Sequence, residues 1–169
     1  MLSATQLLRL KQAAHDALFC EADTKLPAEL TIAQWALESG WGEHQPGNNC
    51  FGIKAYEGCY GIQSLLTTEV IGGNSEKVYR DFATFPSLTE CFRKHAQLIT
   101  AERPYAAAWS QYLQSKNVEN LVRRIAPIYA TALNYADRLL AIVHMEAVIS
   151  TLAEFRSAMD SSPAPTPAA

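Results

Sequence analysis

The chain has 169 residues, a formal charge of −3, 49% hydrophobic residues and 18% charged residues. That length suits one domain with a real core, and that composition excludes a disordered chain. The acidic balance leaves no electrostatic footprint for nucleic acid, so no nucleic-acid partner is expected, and it gives no long-range pull towards anionic polymers.

The opening segment Met1-Leu2-Ser3-Ala4-Thr5-Gln6 has no basic region followed by an apolar core. No secretory signal is read there, and no apolar run is long enough to span a bilayer. Leu7, Leu8, Ala14 and Leu18 have helical spacing through about Phe19. Glu21 to Lys25 reads as a polar loop. Pro27 and Gly40 then bracket a helix, each where helices favour that residue. Gly42 to Gly61 is rich in glycine and asparagine and is expected to be an ordered loop. Gln63 to Ile71 has β-propensity, Gly72-Gly73-Asn74-Ser75 signals a turn, and Lys77 to Phe82 alternates. These predict a β-hairpin carrying Glu69 near its tip, the only sheet expected.

Ser87 and Glu90 have capping-box spacing and start a helix that runs to about Thr100. Pro104 opens another through about Gln114. Asn117 caps a third through about Ile125, which Pro127 ends. From Asn134 one long helix is expected to about Ala158, with Leu139, Leu140, Ile142, Val143, Val148, Ile149 and Leu152 as its apolar positions. Residues 161–169 read as a Pro/Ala tail or linker, leaving 1–160 as one domain. The expected fold is mainly α, a helical bundle with a small β-hairpin lobe that leaves a cleft between two unequal parts.

The chemistry centres on Ala33-Gln34-Trp35-Ala36-Leu37-Glu38-Ser39-Gly40-Trp41-Gly42. It puts one carboxylate in the last turn of a helix, where the macrodipole is negative, with Trp35 at i−3 as an apolar wall. Both surroundings disfavour the charged form, which suits a general acid. The four cysteines, Cys20, Cys50, Cys59 and Cys91, lack zinc-site spacing. Cys50 and Cys59 flank a short loop and could bridge. A cysteine-protease dyad with His95 has no local support. No metal or phosphate-binding motif occurs, so neither metal nor cofactor is expected.

Asn48-Asn49-Cys50-Phe51-Gly52-Ile53-Lys54-Ala55 follows the Glu38 block directly. Together the two resemble the N-acetylglucosaminidase family of peptidoglycan hydrolases (glycoside hydrolase family 73), whose pattern reads roughly A-Q-A-A-L-E-S-G-W-G, then N-N-L-F-G-I-K-A. Thr67-Thr68-Glu69 resembles its T-x-E segment and Val78-Tyr79-Arg80-Asp81-Phe82 its V-x-x-F-R-x-Y/F strand. Ile128-Tyr129-Ala130-Thr131 resembles its Y-A-T segment, followed by Asn134-Tyr135-Ala136. The blocks occur in the family's order from about Leu7 to Val148. Two departures are visible: Cys50 stands at the pattern's leucine, and Ala132-Leu133-Asn134 replaces a frequent Asp-Pro.

The resemblance implies a lysozyme-like fold and peptidoglycan glycan strands as the partner; a monomer is expected. It maps the catalytic glutamate onto Glu38, with Glu69 as the second carboxylate and Tyr129 as a transition-state stabiliser. Trp41, Phe51 and Tyr56 could stack on sugar rings, Asn49 could bond an N-acetyl group or brace its loop, and Lys54 could meet a lactyl or peptide carboxylate. Trp35 and Trp109 are assigned to packing. The expected reaction is cleavage of the β-1,4 bond between N-acetylglucosamine and N-acetylmuramic acid. Muramidase or lytic transglycosylase activity on the same polymer is the alternative, as is a non-catalytic wall-binding module. With no signal peptide read, delivery to the wall by phage-type release or another route is expected.

Overall fold

The computed structural model describes residues 1–161, the side chain of Ile71 apart. The proline-rich tail expected after residue 160 lies outside the described residues from 162 onward. Helix α1 spans Ala4–Thr24 and starts at Ser3, whose hydroxyl accepts the Gln6 N–H while the Gln6 side chain accepts the Ser3 N–H. Leu10, Ala13, Ala14, Ala17 and Leu18 are buried, one face of a helical period. The helix runs five residues past the expected end. Its last turn looks polar in the sequence, but Glu21 is paired with Arg156, far along the chain, at 3.0 Å. Lys25 closes the helix in the left-handed conformation.

Helix α2 (Ala28–Ser39) lies at the centre of the bundle and packs against α1 and three later helices. Leu30, Ile32, Ala33, Trp35 and Ala36 are all buried, so it is apolar nearly all round, as an interior helix must be. Gly40 ends it with φ +61°, and its N–H bonds the Ala36 carbonyl. Glu38, near this end, is the one α2 residue that is exposed.

Strands β1 (Gly61–Ile71) and β2 (Asn74–Thr84) form one antiparallel hairpin, closed by Gly72 and Gly73, both at positive φ. Glu69 pairs with Glu76, near the tip as expected. The hairpin base is stitched to the loop after α2: Ala55 N–H donates to Asp81 O at 2.9 Å and Ala83 N–H to Ile53 O at 3.0 Å.

Helices α3 (Leu88–Ala101), α4 (Ala106–Ser115), α5 (Val118–Tyr129), α6 (Tyr135–Val143) and α7 (Glu146–Asp160) complete the body. Two further boundaries differ from the sequence reading. Pro127 does not stop α5, which continues to Tyr129; the bond that proline forfeits is to the carbonyl of exposed Arg123, which solvent can satisfy. The expected single helix from Asn134 is two, broken at His144–Met145, where Met145 is extended (ψ 126°). The break lets α6 pack on α2 and α5 while α7 turns to lie along α1.

Candidate active site

Glu38 stands where two hollows meet, one of about 620 Å³ and one of about 400 Å³, and it lines both together with Gly52. The larger is lined by Phe51, Lys54, Tyr56, His95 and Tyr129 among others. The smaller lies between the loop after α2 and the hairpin, against His44, Gln63, Leu65 and Thr67. An acidic group at the junction of two hollows can face a bond in a chain that runs through both.

The carboxyl is held from behind. The Tyr135 hydroxyl donates to Glu38 Oε1 at 2.7 Å, and the Gln34 amide N–H donates to the Tyr135 oxygen at 3.3 Å. Gln34 and Tyr135 are buried, so neither is on the cleft surface. Burial, and then the hydrogen bond to Glu38, push the Tyr135 phenol far above its ordinary range, so it remains a donor. Oε1 is thus occupied as an acceptor, and no hydrogen bond to Oε2 is present among the described residues. Neither Gln34 nor Tyr135 was singled out for a role from the sequence. Gln34 sits one turn before Glu38 in an otherwise apolar helix, a signal that helical spacing offers. Tyr135 belongs to the Asn134-Tyr135-Ala136 block, but it is 97 positions from its partner.

Tyr129, at the end of α5, lines the larger hollow as Glu38 does. Its ring stacks on Tyr135 (5.8 Å, 10°) and makes a T-shaped contact with His95 (5.9 Å, 69°). Burial, with Tyr135 and Glu38 nearby, holds its phenol well above the usual tyrosine range, so it offers a proton to a hydrogen bond rather than a charge. Phe51 stacks on His95 at 4.0 Å (20°) and forms part of the same wall. Tyr56 carries the Lys94 ammonium 4.1 Å above its ring.

Two expected site residues line neither hollow, and a third takes one of its two expected roles. Glu69 lines neither hollow. Gln63, Leu65 and Thr67 line the smaller one, and Glu69 shares their strand face one step beyond. There Arg80 holds both its oxygens, at 3.1 and 2.9 Å, and Lys54 bonds Oε1 at 3.0 Å. These cations keep its carboxyl below the usual carboxylate range. Trp41 lines neither hollow: at φ +61° the backbone carries its ring against Trp35 (6.1 Å, 86°). Asn49 borders the smaller hollow, but its amide is spent on the loop. It donates to Ile53 O and Ala83 O, each at 2.8 Å, and accepts from Ile53 N–H at 3.0 Å. It braces the loop that carries Phe51 and Lys54.

The bend after α2 has no slack. A Cβ on Gly42, whose φ is +75°, would lie 2.8 Å from Trp35 Cζ2. Trp35 is fully buried and donates its indole N–H to Gln45 Oε1 at 3.1 Å, so it cannot yield cheaply. Gly42→Ala is expected to destabilise by about 2–4 kcal/mol, combining backbone strain and overpacking. A urea midpoint equal to that of the wild type would contradict this.

A helical body with a two-stranded lobe around a carboxyl-bearing cleft is the layout of lysozyme-like glycoside hydrolases. Residues 14–147 match the family model Glucosaminidase, described as mannosyl-glycoprotein endo-beta-N-acetylglucosaminidase. The chain belongs to this family and is a glycoside hydrolase. It is 32% identical over 126 residues to the peptidoglycan hydrolase FlgJ of Salmonella typhimurium, covering 70% of this chain and 39% of that protein. It thus spans less than half of that relative. The C-terminally truncated glycoside hydrolase domain of the same protein superposes with TM-score 0.63 at 28% identity, covering 82% of this chain and 93% of the domain. The catalytic domain of the autolysin Auto from Listeria monocytogenes shares the fold, with TM-score 0.76 at 23% identity and 89% of each chain covered.

Proposed function

We propose that this chain is an endo-acting peptidoglycan hydrolase that cuts the β-1,4 bond on the reducing side of N-acetylglucosamine. The observation that carries it is Glu38 at the junction of two hollows, so that sugars can lie on both sides of the scissile bond. The relative's name, peptidoglycan hydrolase, points to the same polymer. The enzyme therefore meets its substrate at the cell wall.

In the proposed reaction Glu38 gives its Oε2 proton to the glycosidic oxygen as the C1–O bond breaks. Glu69 is engaged with Arg80 and Lys54 and borders neither hollow, which favours the substrate's own 2-acetamido group as the nucleophile. Its carbonyl oxygen closes on C1, with the Tyr129 hydroxyl available to hold that group. Water then adds at C1 and returns a proton to Glu38, which releases the acetamido group and retains the anomeric configuration. Glu69 acts through Lys54, fixing its ammonium at the edge of the larger hollow.

Digestion of purified peptidoglycan, followed by borohydride reduction and mass spectrometry, tests the reading. New glucosaminitol ends are expected. Muramitol or anhydromuramic ends would assign the other lysozyme-like activities instead, and the absence of new ends would leave a wall-binding module. Proton NMR of the first product should show the β-anomer; an initial α-anomer would exclude acetamido assistance.

A further inference from the structure

The glycosidase chemistry leaves one pair of nucleophilic groups unused. Cys50 lies in the loop after α2, between Asn49, which braces that loop, and Phe51, which lines the larger hollow. Cys91 lies in the first turn of α3. Their Sγ atoms face each other at 3.4 Å, and the two residues are 2% and 0% exposed. A disulfide places its sulfurs about 2.05 Å apart, so closing the bond brings these two about 1.4 Å nearer. The other two thiols are placed elsewhere: Cys20 points its sulfur at Thr89 O at 3.4 Å, and Cys59 is half-buried in the loop before β1. The chain therefore sets Cys50 against Cys91 and not against Cys59, the partner suggested by nearness in sequence.

We propose that Cys50 and Cys91 are a dithiol site that is oxidised to a disulfide, tying the loop that carries Phe51 to α3. Its relevance in the cell rests on the reading that the enzyme works at the wall, and it requires that the chain fold outside the cytoplasm, where disulfides form and persist. The oxidant is a disulfide carrier. One cysteine thiolate attacks the carrier disulfide, forming a mixed disulfide and releasing one carrier thiol. The second cysteine thiolate attacks the cysteine sulfur of that mixed disulfide and expels the other carrier thiol. Two protons and two electrons leave the cysteines, and the carrier disulfide is reduced to two thiols.

Burial and the facing sulfur hold the Cys50 thiol far above its ordinary range, so the folded dithiol exchanges slowly. The redox state is set while the chain folds and both thiols are open to the carrier. The bond encloses residues 50–91, the whole hairpin included, and so removes freedom from the unfolded chain. It also joins the two elements whose side chains, Phe51 and His95, stack to form one wall of the larger hollow.

The experiment is refolding from denaturant in reduced and oxidised glutathione, followed by alkylation, digestion without reductant and mass spectrometry. A cross-linked peptide pair containing Cys50 and Cys91 is expected, with Cys20 and Cys59 alkylated. Dithiothreitol in denaturant should abolish the pair. The oxidised protein should melt several degrees above the reduced one. Cys91→Ala should lose that difference and Cys59→Ser should keep it. Four alkylated cysteines after refolding, or a bridge from Cys50 to Cys59, would overturn the proposal. If Cys91→Ala does not fold, the wild-type peptide map still decides. No step reads glycan cleavage, so this result and that of the proposed activity stand or fall separately.

Discussion

Glu38→Gln is expected to lower kcat on peptidoglycan by about a hundredfold to ten-thousandfold, the range a positioned general acid supplies. Glutamine keeps the size and the Oε1 acceptor for Tyr135 but offers no proton acidic enough for a leaving alkoxide. Because the residue is exposed at the cleft and its partner is retained, the urea midpoint should move little. Tyr135→Phe separates chemistry from positioning. Its hydroxyl is buried behind the carboxyl, so it touches no sugar, and its removal frees Oε1 and leaves the Gln34 amide unpaired. A hydrogen bond to a charged or acidic group is worth about 1.5–3 kcal/mol, so a fall in kcat of roughly tenfold to a hundredfold is expected with KM unchanged. Steady-state kinetics on a soluble glycan fragment checks both. Undiminished turnover by Glu38→Gln would remove it as the acid. A Tyr135→Phe effect confined to KM would refute the positioning role.

How much of this was legible in the sequence follows from the reach of each determinant. Helix α2 was readable because Pro27 and Gly40 act on their own backbone. The hairpin was readable because its β-prone run and its Gly72-Gly73 turn are local. The break between α6 and α7 was not, since His144–Met145 contains neither glycine nor proline and the redirection comes from packing on α2, α5 and α1. At the site, Glu38, Phe51, Lys54, Tyr56 and Tyr129 do line one hollow. Their order along the chain announced them, though not their distances. Trp41 follows the acid in sequence, but its ring direction is set by a left-handed backbone that composition does not reveal. Glu69 was readable as a hairpin-tip carboxylate. Arg80, which holds it, lies across the hairpin opposite Leu65, four residues from Glu69 on the same face, and that placement follows only from the register of the two strands.

His95 shows the same limit and supports the other large prediction. Set aside in the sequence as a doubtful protease partner, it is a buried residue of the cleft wall, 1% exposed, and neither ring nitrogen has a hydrogen-bond partner among the described residues. Its ring is used instead, stacked on Phe51 and T-shaped against Tyr129. Burial holds its pKa at about 3, against 6.5 for an ordinary histidine. Between those values the unfolded chain binds a proton that the folded chain refuses. Stability therefore rises with pH across that window and is lost as pH falls from 6.5 towards 3. At about 1.36 kcal/mol per pH unit, the wild type should lose up to about 4 kcal/mol through this residue between pH 6.5 and 3.5. His95→Phe keeps a flat ring for the stack and removes both unpaired nitrogens. At pH 7 it should match or exceed the wild type, since a buried unsatisfied polar group costs about 1–3 kcal/mol. At pH 4 its advantage should widen, because every other titrating group is common to both proteins and cancels in the difference. Urea unfolding at pH 7, 5.5 and 4 measures that difference directly. Curves that stay parallel would mean that the folded protein takes up the proton at His95 as readily as the unfolded chain does, and the wall between Phe51 and Tyr129 would then have to open to solvent below neutrality.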